Sequence, residues 1–232
     1  MFRIRRSLLL LSPALLGCTA PRSDSGPLTS TFEQYRVDRF DEITGLRYTF
    51  HAQLGTKQLA RQWEWEPESG RVVASSPEED FGAVVYFREA EGSETTRALD
   101  ALFVNDQYWL LFPVHLERDA GLKFSEGGIA TGPVTGSELR VVTAQYGPTG
   151  GYTPGDAYDL YLDEDGVIRE WVYRRGGSDE PTRSARWGEP VPLGPLRAVL
   201  RFDGPDPEAF RVWFSDVAVR VAGDDDWRVV DL

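Results

Sequence analysis

The residues able to do chemistry in this chain are few and widely spaced. His51 and His115 are the only histidines, and neither has a ligand or base at a telling distance in sequence. No HExxH or CxxC pattern occurs, which leaves a His/Cys zinc site without ligands. A serine nucleophile needs a histidine and an acid. No Gly-x-Ser-x-Gly elbow is present. Ser137 reads as a turn residue. No P-loop or Gly-x-Gly-x-x-Gly follows a strand pattern. The run Asp163-Glu164-Asp165-Gly166 invites a calcium reading, but apolar Val167-Ile168 follow at once. A calcium loop needs alternating oxygen ligands and a distal Glu. The run reads better as a hairpin turn, and Asp224-Asp225-Asp226 as a solvated loop. Carboxylates are abundant, so a spatial pair suited to glycoside hydrolysis stays open, with no pair preferred. No catalytic residue, metal or cofactor is assigned, and the chain reads as a non-enzyme.

One chemical group does stand at a defined place. Cys18 is the only cysteine. It follows basic Arg3, Arg5 and Arg6, the apolar run from Ser7, and small Gly17, which together read as a secretory signal. A cysteine directly after that small residue resembles the bacterial lipobox, with Leu16 where Ala or Ser is usual. The resemblance implies cleavage after Gly17, acylation of Cys18 and attachment of the mature chain to a membrane by lipid. By resemblance to enterobacterial lipoproteins, Thr19 favours the periplasmic face of the outer membrane. The signal is shorter than the ~20 apolar residues that span a bilayer. Two or more acyl chains hold firmly where one holds only marginally. No second cysteine remains for a disulfide, so the exported domain depends on its core.

Charge narrows the partners. The formal net charge is -12 and the signal itself is basic, so the mature chain is more acidic still. Such a chain repels phosphates, which argues against nucleic acid and against broad adhesion to anionic headgroups. Protein partners are not indicated. Expected partners are the membrane, through the N-terminal lipid, and a lipid or acyl ligand.

Composition sets the frame. Seven Trp, nine Tyr and twelve Phe, interspersed with Gly and Pro, suit pleated half-buried surfaces. The segments divide into a signal at 1–17, a lipidated flexible tether at 18–30 and one domain at 31–232. Thr31 to Glu42 reads as a short helix. Leu46, Tyr48, Phe50, Ala52 and Leu54 alternate with polar residues, the pattern of a strand with one buried face. Leu59, Arg61, Trp63 and Trp65 share a face of the returning strand. Ala83 to Phe87 is apolar on both sides and predicts cover on each. Ser93 to Asn105 has helical spacing. Tyr108 to Phe112 reads as a strand stopped by Pro113. Gly121 to Gly136 is glycine-rich and reads as a mobile loop. Ala157 to Leu162 and Val167 to Arg175 form a hairpin around Asp165-Gly166. About ten strands in meander order with one or two helices predict a mostly β fold. Its expected form is a curled antiparallel sheet, an incomplete β-barrel wrapped around the helix.

Three stretches carry a family resemblance: Trp63-x-Trp65-x-Pro67-x-x-Gly70; Asn105-Asp106-x-Tyr108-Trp109-Leu110-Leu111-x-Pro113; and Tyr158-x-Leu160-x-Leu162-Asp163-x-x-Gly166-x-Ile168-x-x-Trp171. Together they resemble bacterial envelope proteins related to the LolA/LolB-like group. That resemblance implies an incomplete barrel around lid helices and a role in carrying or receiving acyl chains. It implies no particular functional residue, because its motifs mark strands, turns and packing aromatics.

The expected function is a membrane-tethered envelope lipoprotein holding an apolar ligand in a half-open barrel. Expected lining residues are Tyr48, Phe50, Trp63, Trp65, Leu102, Phe103, Trp109 and Trp171. The alternatives are an envelope assembly protein with a filled core and, ranked last, a carboxylate-based hydrolase of envelope polymers.

Overall fold

The computed structural model describes residues 26–75, 82–88, 90, 92–149 and 154–230. The signal at 1–17, Cys18 and the tether as far as Ser25 lie outside the described residues. The tether expected through Ser30 is corrected at its end. Gly26–Leu28 is a 3-10 turn that runs into helix α1, Thr29–Tyr35. Leu28, Thr31, Phe32 and Tyr35 recur at helical spacing and are all buried, which is why this end docks instead of hanging free. Another 3-10 stretch, Val37–Glu42, leads into the sheet.

The strands follow in chain order. They are β1 (Ile43–Leu54), β2 (Lys57–Glu66), β3 (Arg71–Ser75) and β4 (Val84–Phe87). Helix α2, Glu94–Arg118, comes next. Then come β5 (Lys123–Thr131), β6 (Glu138–Gln145), β7 (Ala157–Leu162), β8 (Ile168–Arg174) and β9 (Arg183–Trp187). A small hairpin, β10 (Val191–Leu193) and β11 (Leu196–Ala198), precedes β12 (Arg201–Asp203), β13 (Phe210–Val221) and β14 (Asp224–Val229).

All but the small hairpin join one 12-stranded sheet, ordered β4-β3-β2-β1-β13-β12-β9-β8-β7-β6-β5 with β14 on β13. Every pairing is antiparallel. The end strands β4 and β5 do not pair with each other, so the sheet is curled but not closed. A twisted sheet of this many strands must bend, and α2 lies in the hollow that the bend creates.

Alternation decides which side chains enter that hollow. Leu46, Tyr48, Phe50 and Ala52 of β1 are buried, as are Trp63 and Trp65 of β2. Phe103 of α2 sits between the two tryptophans, with ring centroids 5.5 Å from each. Trp109 lies 5.1 Å from both Trp171 and Phe202. Edge-to-face aromatic contacts of this kind add about 0.5–1.5 kcal/mol each beyond area burial.

Three expectations are corrected here. Tyr108 to Phe112 is not a strand, because α2 runs on to Arg118. Pro113 lies inside it and has no N–H for the Trp109 carbonyl, and Leu111 takes φ -115°, ψ 24°. The result is a kink, not a stop. The stretch Ala83 to Phe87 is not covered on both sides. It forms the edge strand β4, with Val85 and Phe87 about half exposed and only Tyr86 fully buried. The glycine-rich stretch holds β5, paired along its length with β6 across a bulge at Glu126/Gly128.

Candidate ligand cavity

A cavity of about 540 Å³ lies between α2 and the concave sheet. It falls within the ~300–1,000 Å³ typical of small-ligand sites. One wall is a helical stripe. Ala101, Val104, Asn105, Tyr108, Trp109 and Phe112 of α2 recur at intervals of three and four. The opposite wall is built from strand residues at period two. These are Phe50, Ala52 and Leu54 of β1; Leu59 and Arg61 of β2; Trp171 and Tyr173 of β8; and Phe210 and Val212 of β13. Tyr158 and Trp187 complete it.

The two ends of the hollow differ. Helix α1 plugs the end at the β7–β8 turn, where the Thr31 hydroxyl donates to the Gly166 carbonyl at 2.8 Å. The other end, at the β1–β2 and β8–β9 turns, carries exposed Leu54, Arg175, Thr182 and Arg183 and forms the mouth.

Arg61 is the one buried cation in the wall. Its Nε donates to Asp106 Oδ2 at 2.7 Å and its Nη2 to Oδ1 at 2.6 Å. Trp63 Nε1 donates to the same carboxylate at 2.9 Å. Burial pushes the Asp106 carboxyl up, and the Arg61 hydrogen bonds and charge pull against it. Trp171 and Trp187 carry buried indole N–H groups with no hydrogen-bond partner among the described residues. Among the described residues no Asp or Glu lines the cavity, so two facing acids are not found there.

Of the eight aromatic and apolar residues expected to line the ligand space, Phe50, Trp109 and Trp171 border the cavity. Tyr48, Trp63, Trp65 and Phe103 pack in the core beside it, and Leu102 is partly buried against that core. Residues that sequence reasoning missed include Leu59, Val104, Phe112 and Phe210. Once α2 is known to continue past Asn105, its 101-104-105-108-109-112 stripe identifies the helical ones.

The histidines stand apart from this wall. His51 lies on the other face of β1, stacked on Trp213 at 4.9 Å, with Nε2 2.9 Å from Ser215 Oγ. Ser215 in turn donates to Asp216 at 2.8 Å. The acid thus accepts directly from the serine hydroxyl. His115, expected at a strand end, stands instead on α2. It stacks on Tyr108 and lies 3.1 Å from Asp119 Oδ1. Asp119 also accepts from the Tyr108 and Tyr146 hydroxyls. Burial pushes the Asp119 carboxyl up, but His115 and the two hydroxyls outweigh it and hold it below the usual carboxylate range. Burial and the neighbouring Tyr108 and Asp119 raise the Tyr146 phenol. The cluster fastens the C-terminal end of α2 to the residue that follows β6. Among the described residues, no group of three His, Cys, Asp or Glu side chains could hold a metal ion.

No protein-family model matches the chain, and no curated protein matches it. Solved structures do. A DUF1329 family protein from Desulfovibrio piger overlays with TM-score 0.48 at 15% identity, covering 86% of this chain and 95% of that one. A domain named for outer membrane lipoprotein sorting, from Vibrio parahaemolyticus, gives 0.47 at 8% identity, with 84% and 94% covered. MucB gives 0.29 at 15% identity, with 72% and 63% covered. Each of these is a likeness of chain path at low sequence identity.

Proposed function

We propose that this chain is a lipid-anchored protein of the bacterial envelope that holds an apolar ligand, an acyl chain, between α2 and the concave sheet. The observation that supports this is the cavity of about 540 Å³ walled by Phe50, Val104, Trp109, Phe112, Trp171 and Phe210. Burying an acyl chain there gains about 0.8 kcal/mol per methylene. The lipobox-like run ending at Cys18 supplies the anchor, and the outer membrane is the expected site.

Native mass spectrometry of the full chain carrying Cys18→Ser tests the ligand, since that variant cannot carry its own acyl group. Co-purified lipid, or uptake of added fatty acid at one equivalent, is expected. A chain that stays bare under both conditions sinks the reading and favours an assembly role. Incorporation of labelled palmitate into the unaltered chain, absent in Cys18→Ser, tests the anchor separately.

A further inference from the structure

We propose that the ligand of this cavity is an acyl-chain amphiphile with an anionic head group, its tail inside and its head on Arg183 and Arg175 at the mouth. The inference rests on the apolar-ligand function and adds the chemistry of the head.

The charge of the lining is opposite to that of the chain. The chain carries 37 acidic residues against 25 lysines and arginines. Among the described residues, the cavity is nevertheless lined by three arginines and no carboxylate. Arg61 is neutralised by Asp106 behind the wall. Arg175 and Arg183 make no ion pair among the described residues. Two uncompensated cations thus stand at the entrance to an apolar hollow.

Local structure fixes where they point. On β9, Arg183 shares the inward face with buried Ala185 and Trp187. Its partner across the ladder is Tyr173, another wall residue. The guanidinium carbon lies 4.1 Å from the Phe210 ring centroid, so the cation is held over the apolar edge. Its stem lies on greasy surface while its head meets water. Partial desolvation against the Phe210 ring lowers the basicity of Arg183. Arg175 comes beside it because its backbone N–H donates to the Thr182 hydroxyl at 3.0 Å, which closes the β8–β9 turn.

A guanidinium recognises carboxylate or phosphate through two parallel N–H donors. Fatty acids and lipid phosphates share that chemistry. A bound anion would give each cation the acidic partner that the protein withholds.

The test titrates the full chain carrying Cys18→Ser with decanoate, decyl phosphate and decanol, each below its micelle threshold, followed by tryptophan fluorescence. Both anions are expected to bind about tenfold or more tighter than decanol. Arg183→Met should erase most of that preference, read as the ratio of anion to decanol affinity within the same variant, and Arg175→Met should erase part of it. Tighter binding of decanoate identifies a carboxylate head, and tighter binding of decyl phosphate a phosphate head. Equal affinity for all three probes overturns the anionic head and leaves the apolar cavity standing. A preference that survives in both arginine variants likewise overturns the proposed seat of the head. Failure of every probe to bind overturns the cavity reading as well.

Discussion

Arg61 on β2 and Asp106 on α2 meet as a two-pronged ion pair, 2.7 and 2.6 Å across its two hydrogen bonds, with the carboxylate wholly buried. It is a charged link between helix and sheet beside the cavity. Trp63 and Asn105 donate to the same carboxylate, so its acceptor sites are well used. A buried pair costs desolvation to assemble, and losing one partner is worse, because it strands the other charge. Asp106→Ala should therefore destabilise the fold by about 3–5 kcal/mol in urea unfolding. The double replacement Arg61→Met with Asp106→Leu should recover most of that loss. An unchanged urea midpoint in Asp106→Ala would show that the pair does not fasten α2.

Gly166 is constrained twice. Its φ is +86°, and a Cβ there would lie 2.9 Å from Ser30 Cβ and 3.0 Å from the Thr31 nitrogen. The β7–β8 turn is tight because α1 sits directly on it. Gly166→Ala should cost about 2 kcal/mol or more, from the left-handed backbone and the displaced helix together. Thr31→Val should cost about 1 kcal/mol through the lost hydrogen bond to the Gly166 carbonyl. Thermal unfolding of both variants checks this. A wild-type midpoint for Gly166→Ala would mean that α1 moves aside freely.

The sheet was legible wherever one face is buried and the other wet. β1, β2, β7 and β8 follow their alternation, and the Asp163–Gly166 turn is where its chemistry puts it. Legibility failed where burial is two-sided or one-sided for tertiary reasons. Tyr108-Trp109-Leu110-Leu111-Phe112 is apolar at every position, so helix and strand templates fit equally. The enclosing sheet decides for helix, and Pro113 is tolerated as a kink. Val84 to Phe87 has the same ambiguity, and its place at the sheet edge could not be read locally. At the site, Phe50 and Trp171 were legible from strand faces. Arg183 was not, because nothing in its neighbourhood shows that β9 closes over the mouth of the cavity.

Asp203 gives the fold a predictable acid response. Burial pushes its carboxyl up, but hydrogen bonds from Arg201, Arg211 and Arg186 outweigh that and hold it below its usual range. Its folded pKa is thus below the unfolded value of about 3.9. The stability it contributes is present above that value and is lost as pH falls through the folded pKa. The stability gap between the unaltered chain and Asp203→Asn should be level above about pH 5 and should narrow in more acid solution. Urea titrations at a series of pH values measure the gap, and a gap that widens toward acid would contradict the assignment.

Ala101 separates the cavity from the core as a source of function. It is exposed on the inward stripe of α2, one turn before Asn105, and it borders the cavity. An exposed helical position tolerates a larger side chain, so Ala101→Trp should change stability by no more than about 0.5–1 kcal/mol. The added indole takes up space that a ligand would need. Decanoate binding should therefore weaken by about tenfold or more, since each displaced methylene forfeits about 0.8 kcal/mol. Core residues such as Phe103 cannot make this distinction, because truncating them costs stability and shape together. If Ala101→Trp folds normally and binds decanoate as before, the ligand sits elsewhere and the space between α2 and the sheet is only a packing defect.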